Sequence, residues 1–316
     1  MNKWCVVTIL FLIVGCSKKY NYNEITSPKG DLYYLKNNMS LVNGKIYSDF
    51  GDCGEIKNGK KVGLWRTYYD NGQLSVKEFY KNDKLDGEYI EYFLNGRIKL
   101  KTNFNNGQIN GDWETNYFNG NKKERKKFIN NKKDGDHWDY SEDGLYYIVI
   151  GWSNDVKHGV YRETFDLPNR KVIKNITKIS GYYQEGQKSG LWTEYWETGN
   201  VKTTANWQDG KLNGDYKHYR DRSVKDKYVD KGKYEDNKKV GFWTEHGILG
   251  LYEGNYVEGK KNGKWKTIKR YEKVEYEIEH YKNGELLFTE EFDKKDKLIG
   301  KYRWEGRSYK RKKIYF

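Results

Sequence analysis

The chain has 316 residues, 36% of them apolar and 17% aromatic, with 33 glycines, two prolines and a formal net charge of +14. So many rings exclude a disordered polymer, because chains that cannot build a core are poor in aromatic residues. The charge points to anionic partners, yet only eleven of the 59 basic residues are Arg, the side chain suited to bidentate contact with phosphate or bases. Nucleic acid is therefore not the expected partner.

The chain opens "MNKWCVVTILFLIVGCSKK", with Lys3 as a positive n-region, Val6 to Val14 as an apolar stretch, and Gly15 before Cys16. This stretch falls short of the about 20 residues needed to span a bilayer, so residues 1–15 read as an export signal. Ile13-Val14-Gly15-Cys16 resembles the bacterial lipobox. That resemblance implies cleavage before Cys16, lipidation of Cys16, and a lipid-anchored place in the bacterial cell envelope, with leaflet and face undetermined. Several acyl chains on one residue hold a protein stably where a single chain is marginal. Cys5 then leaves with the signal and Cys16 carries lipid, so Cys53 has no partner for a disulfide and is expected as a buried, inert thiol. Residues 16–40 lack any repeating pattern and are expected to be a tether and cap.

From there a glycine followed two residues later by a large ring recurs. Gly63 with Trp65, Gly87 with Tyr89, Gly111 with Trp113, Gly135 with His137 and Trp138, and Gly159 with Tyr161 are spaced by 24 residues. Gly190 with Trp192, Gly214 with Tyr216, Gly241 with Trp243, Gly263 with Trp265, and Gly300 with Tyr302 follow at steps of 31, 24, 27, 22 and 37. Four residues before each marker glycine stands Gly, Asn or Asp, from Gly59 and Asp83 to Gly259 and Asp296. These residues tolerate positive φ and mark hairpin turns. Seven before the marker stands a ring in eight of the ten copies, Tyr80 and Phe104 among them; Ile56 takes the place in the first and Asp293 in the last. Nine after it, Gly72, Gly96, Gly120, Gly144 and Gly199 mark a second kind of turn.

Within "GLWRTYYDNG" the alternation puts Trp65, Thr67 and Tyr69 on one face and Leu64, Arg66 and Tyr68 on the other. The period predicts an all-β protein: a long antiparallel β-hairpin repeat sheet of about ten repeats over residues 41–305, twisted or curled into a trough. The aromatic columns read as core. Residues 306–316, "GRSYKRKKIYF", are expected as a basic C-terminal cap.

The G-x-W signature, the paired rings and the N-G turns resemble the variant MORN repeat, over roughly residues 43 to 305. That family includes YwqK-like antitoxin proteins and many exported or lipid-anchored proteins. The resemblance implies a non-enzymatic, membrane-anchored repeat scaffold that binds another protein or an envelope component. The alternative it raises is an antitoxin or immunity protein of a toxin-antitoxin module.

The register breaks around "DLPNRKVIKNITKIS", around "RDRSVKDKYVDKG", and between Trp265 and Gly300, where insertions in a repeat protein often carry a binding face. The five histidines, His137, His158, His218, His246 and His280, show no H-E-x-x-H or Cys-pair spacing, and neither a G-x-S-x-G elbow nor a P-loop is present. No catalytic residue, metal or cofactor is expected, and the histidines read as surface or ring-stacking residues.

Overall fold

The computed structural model describes residues 18–30, 32–167, 175–220, 229–247, 250–269, 275–304 and 311–313. The expected signal, Cys16 and residues 168–174, 221–228 and 270–274 lie outside the described residues. The chain divides into two compact units, Met1–Asn121 with Phe128–Asn131, and Lys122–Lys127 with Lys132–Phe316.

Two kinds of turn build both units. In the short turn both central residues have positive φ: Asn58 (49°) and Gly59 (72°), Asn154 (50°) and Asp155 (67°), Asp209 (49°) and Gly210 (74°). Two such residues in succession give the type I′ turn, whose twist matches that of the strands it joins. The second turn residue also reaches the preceding repeat. Asp83 N–H donates to the Lys61 carbonyl at 3.0 Å, and Gly259 N–H to that of Lys239 at 2.9 Å. Where that residue is Asp or Asn, its side chain accepts a further bond, as Asp83 Oδ1 does from Lys61 N–H and Asn237 Oδ1 from Leu212 N–H. The wide turn is closed by Tyr69 N–H on the Gln73 carbonyl and Gly72 N–H on that of Tyr69, with Asn71 Oδ1 accepting from Gln73 N–H.

In the first unit, the strands Gly44–Ser48, Gly51–Lys57, Lys60–Tyr68, Leu74–Lys81, Lys84–Tyr92 and Ile98–Asn105 pair antiparallel in chain order, and Gly111–Asn116 pairs with the last of them. At the other edge, Lys19–Asn21 adds a parallel strand on Gly44–Ser48. Ile25, Val42, Ile46, Cys53, Ile56 and Trp65 form a buried cluster, with Tyr20, Tyr33 and Leu35 packed against it.

The second unit repeats the meander antiparallel from Gly135–Tyr140 and Tyr147–Ser153 to Leu298–Trp304 and Arg311–Lys313. The expected all-β hairpin-repeat sheet is thus what the chain forms. The marker glycine sits in a bulge: Tyr80 faces Leu85 and Glu78 faces Tyr89, leaving Phe79 alone opposite Asp86, Gly87 and Glu88, with Gly87 at φ 128°. Extra residues on one strand demand φ values that glycine supplies most easily.

One expected copy is corrected. Gly300 lies inside the strand Leu298–Trp304, opposite Glu291, and Asp296 belongs to a wide turn in which its N–H donates to the Asp293 carbonyl. The tenth short turn is instead Asn283 (φ 52°) and Gly284 (φ 89°), and Gly284 N–H donates to the Lys261 carbonyl at 2.9 Å, as its counterparts do. Phe288 therefore occupies the marker position. Leu287 is the single extra residue between the paired Leu286 and Phe288, so this shorter bulge has no need of glycine. The 37-residue step contains a whole hairpin, Tyr276–Lys282 with Glu285–Phe292, rather than a long insertion.

Candidate functional site

The eight marker glycines Gly63, Gly87, Gly111, Gly159, Gly190, Gly214, Gly241 and Gly263 all have φ between 65° and 128°. The rings two residues on share one face of the sheet with those seven residues before each marker, and they meet edge to face. Trp65 meets Tyr80 (centroids 6.4 Å apart), Tyr89 meets Phe104 (5.7 Å) and Tyr161 meets Tyr183 (5.8 Å). In the second unit the contacts run on through Tyr216, Tyr234, Trp243, Tyr256 and Trp265 at 4.9 to 6.0 Å. Each edge-to-face pair adds about 0.5–1.5 kcal/mol beyond its buried area.

The rings are not equally deep. Trp65, Trp192, Trp243 and Trp265 are buried, whereas Tyr89, Trp113, Tyr161 and Tyr216 are half-buried. The difference lies eleven residues earlier, on the neighbouring strand. There the four buried indoles cover Gly54, Gly181, Gly232 and Gly254, where a Cβ would stand 2.1 to 2.5 Å from the ring. Glycine lets the indole lie flat on the backbone, and its N–H then reaches a carbonyl: Glu55 at 3.2 Å, Tyr182 at 3.2 Å, Lys233 at 3.1 Å and Asn255 at 3.0 Å. His137 fills the same role, with Nε2 2.9 Å from the Lys127 carbonyl. It is buried with its ring centroid 5.9 Å from that of Trp152, a ring-packed position rather than a surface one, and burial lowers its pKa.

Two residues before the marker a lysine lies across the rings. Lys61 covers Trp65 at 4.5 Å and Tyr80 at 4.8 Å, Lys188 covers Trp192 at 4.2 Å and Trp207 at 4.7 Å, and Lys239 covers Trp243 at 4.3 Å. Lys133, Lys157 and Lys261 repeat the arrangement. Burial lowers the pKa of Lys61 and of Lys188 despite nearby carboxylates. Four residues after the marker, carboxylates take up the phenols: Tyr89 donates to Glu91 at 2.8 Å and Tyr161 to Glu163 at 3.0 Å. Burial first, then the carboxylate, pushes both phenols well above the usual range.

In the second unit this face opens into two clefts that share Tyr216. One, of about 450 Å³, has Trp243 and Tyr234 in its wall with Arg220, Asp230, Lys239 and Glu245 around them. Arg220 Nε donates to Asp230 Oδ2 at 2.8 Å, and Asp230 Oδ1 accepts from His246 N–H at 2.7 Å with His246 Nδ1 3.1 Å away. Lys239 pairs with Glu245, which also accepts from Tyr256 at 3.1 Å. The second cleft, of about 320 Å³, holds Trp192, Trp207, Lys188, Glu194 and His218, with His218 Nδ1 3.0 Å from Thr203 Oγ1. Arg220 and Asp230 flank residues 221–228, where the register breaks; aromatic periodicity gave no hint of their pairing.

Of the other expected residues, Cys53 is a buried free thiol, and Cys16 lies outside the described residues. Among the described residues, no group of three or more His, Cys, Asp or Glu side chains is placed to hold a metal ion.

A sheet made by stacking one hairpin, with turns stitched to the preceding copy and one ring-bearing face, defines a β-hairpin repeat protein. The family described as MORN repeat variant matches residues 61–82, 85–106 and 188–209, and these are MORN-variant repeats. Each match begins on the residue two before a marker glycine and ends on the first residue of the next short turn, so all three share one phase. No curated protein matches the chain.

Proposed function

We propose that the chain is a non-enzymatic repeat scaffold, held at the bacterial envelope by lipid on Cys16, that binds another protein or an envelope component. The observation that carries this reading is the repetition of one face. Most hairpins bring rings, a covering lysine or aliphatic residue and polar side chains to the same side of their unit's sheet, and the clefts on that side lie over successive strands. Stacked repeats commonly use such an extended surface for binding.

The test is cross-linking in intact cells, comparing wild type with Cys16→Ser. The proposal expects labelling of wild type by radioactive fatty acid, loss of label and of membrane association in Cys16→Ser, and one reproducible cross-linked envelope component. Label retained by Cys16→Ser overturns the anchor, and the absence of any specific cross-link overturns the scaffold. The antitoxin alternative makes a separate demand: a toxin gene beside this one, and cell death on deleting this gene alone.

A further inference from the structure

Resting on that scaffold reading, we propose that the two clefts of the second unit are consecutive subsites for an acidic polysaccharide. Its sugar rings run across the strands from Gln187–Tyr195 to Lys260–Lys269. The clefts share Tyr216, so they form neighbouring parts of one surface rather than separate pockets. Between the strands bearing Lys188 and Lys261 lie six strand spacings, or about 29 Å, enough for several sugars in an extended chain.

The chemistry of the lining selects the ligand. Sugars present apolar C–H faces and a rim of vicinal hydroxyls. Half-buried Tyr216, Tyr234 and Tyr252 offer ring surface, and the ion pairs Arg220–Asp230 and Lys239–Glu245 offer donors and acceptors side by side. In the neighbouring cleft Lys202 stands 3.8 Å from Glu194, with both side chains partly exposed.

Charge then distinguishes an acidic glycan from a neutral one. In the first cleft Arg220, Lys239 and Lys261 face Asp230 and Glu245; in the second Lys188 and Lys202 face Glu194. Each cleft thus holds one cation more than its carboxylates. Lys261 Nζ lies over Trp265 at 4.2 Å and Tyr281 at 5.0 Å, and no carboxylate among the described residues is within 4.0 Å of it. Lys188 is likewise held over rings, with its ammonium desolvated by burial. One surplus cation per cleft suits a polymer with one carboxylate every second sugar.

The same features disfavour other occupants. A nucleic-acid strand carries a phosphate about every 3.4 Å, and several would meet Glu194, Asp230 and Glu245. Protein interface cores are depleted in charged residues, whereas both clefts are rimmed with them. A lipid surface calls for protruding apolar side chains, and the buried Trp192 and Trp243 lie beneath lysines.

The test is calorimetric titration of the purified full chain with hyaluronan oligosaccharides, in which acidic and neutral sugars alternate. Carboxyl-reduced hyaluronan, poly(dT) and phosphatidylglycerol vesicles serve as competing probes. The expected result is saturable binding of hyaluronan, weakened about tenfold or more by Lys188→Leu with Lys261→Leu. Leucine occupies the equivalent position at Leu85 and Leu212, so the double variant retains the fold, and an unchanged melting midpoint verifies this. No hyaluronan binding, equal binding of the carboxyl-reduced polymer, preference for poly(dT) or vesicles, or full affinity in the double variant each overturns the proposal. A cross-linked envelope component recovered equally by wild type and the Lys188→Leu, Lys261→Leu variant leaves the scaffold standing and removes only the glycan.

Discussion

The hairpins carrying Trp113 and Trp243 have the same marker glycine, the same ring two residues later and the same kind of turn, yet they bury that ring differently. Trp243 is 1% exposed, lies on Gly232 and gives its N–H to the Lys233 carbonyl at 3.1 Å. Trp113 is half-buried. Eleven residues before it stands Thr102, and the next carbonyl, of Asn103, accepts from Asn110 N–H instead of from an indole. A methyl and a hydroxyl in place of a hydrogen keep the indole off the backbone. The ring column therefore records where a side chain points, and the partner strand decides how deep it goes.

Truncation gives the largest contrast. Trp243→Ala is expected to cost about 3–5 kcal/mol, the range for large-to-small changes in cores. Trp113→Ala is expected to cost only about 1–2 kcal/mol, because less apolar area returns to water. Since repeat sheets need not unfold in one step, hydrogen exchange in Lys238–His246 and Gly111–Asn116 is the appropriate measurement. Equal losses in both strands would show that the glycine beneath the indole does not set its contribution.

The second contrast lies within one hairpin, between two glycines needed for different reasons. Gly190 has φ 67° and nothing within 4 Å of a built Cβ, whereas a Cβ at Gly181 would stand 2.1 Å from Trp192 Cδ2. Asn adopts positive φ readily, so Gly190→Asn is expected to cost less than about 1 kcal/mol. Gly181→Asn must displace a packed indole and is expected to cost about 3 kcal/mol. Comparing urea midpoints of the two variants checks this, and an equal shift removes the distinction between conformational and steric glycines.

The contrast also shows what the chain disclosed before its structure was known. Turn residues such as Asn82, Asp83 and Gly210 were legible because positive φ restricts composition locally, with no need of tertiary knowledge. Gly54, Gly181, Gly232 and Gly254, and the lysines two before six of the markers, recur in only some of the copies, and their meaning depends on a ring from another strand. Phe288 hid the tenth copy because the shortened bulge removed the glycine that advertises it. The clefts were least legible: Arg220 and Asp230 stand ten residues apart across a register break, and only pairing Lys211–Tyr219 with Val229–Glu235 brings them together.

His137 provides a smaller, pH-dependent contrast, since it stands where other hairpins place a non-titrating indole. Burial lowers its pKa from the ordinary 6.5, so the unfolded chain takes up a proton more readily than the folded one. Stability is therefore unaffected well above about pH 6.5, falls as pH drops below that value, and levels off once the folded imidazole also protonates. His218, lowered by burial as well, adds in the same direction. His137→Gln keeps a donor for the Lys127 carbonyl and is expected to flatten, without abolishing, the fall between about pH 7.5 and pH 5.5. Urea titrations at both values measure it, and an unchanged slope would place the pH dependence elsewhere.

The smallest effect is expected where chemistry changes most. In the second unit Lys188 covers Trp192 and Trp207, and Leu212 occupies the equivalent place two residues before Gly214. Replacing Lys188 with Leu forfeits a cation–π attraction of about 0.5–1 kcal/mol. It also ends the burial of an ammonium, whose lowered pKa shows that the charged form is disfavoured there. These opposing terms nearly cancel, and the aliphatic cover over the indole remains. Lys188→Leu is therefore expected to change stability by less than about 0.5 kcal/mol, and Lys188→Ala, which uncovers the ring, by more. A large loss for Leu, with none recovered on raising the pH, would show that the charge itself holds the hairpin. The lysine column would then be a requirement of the fold, where the Leu and Ile of sister repeats mark it as a position that other selection is free to use.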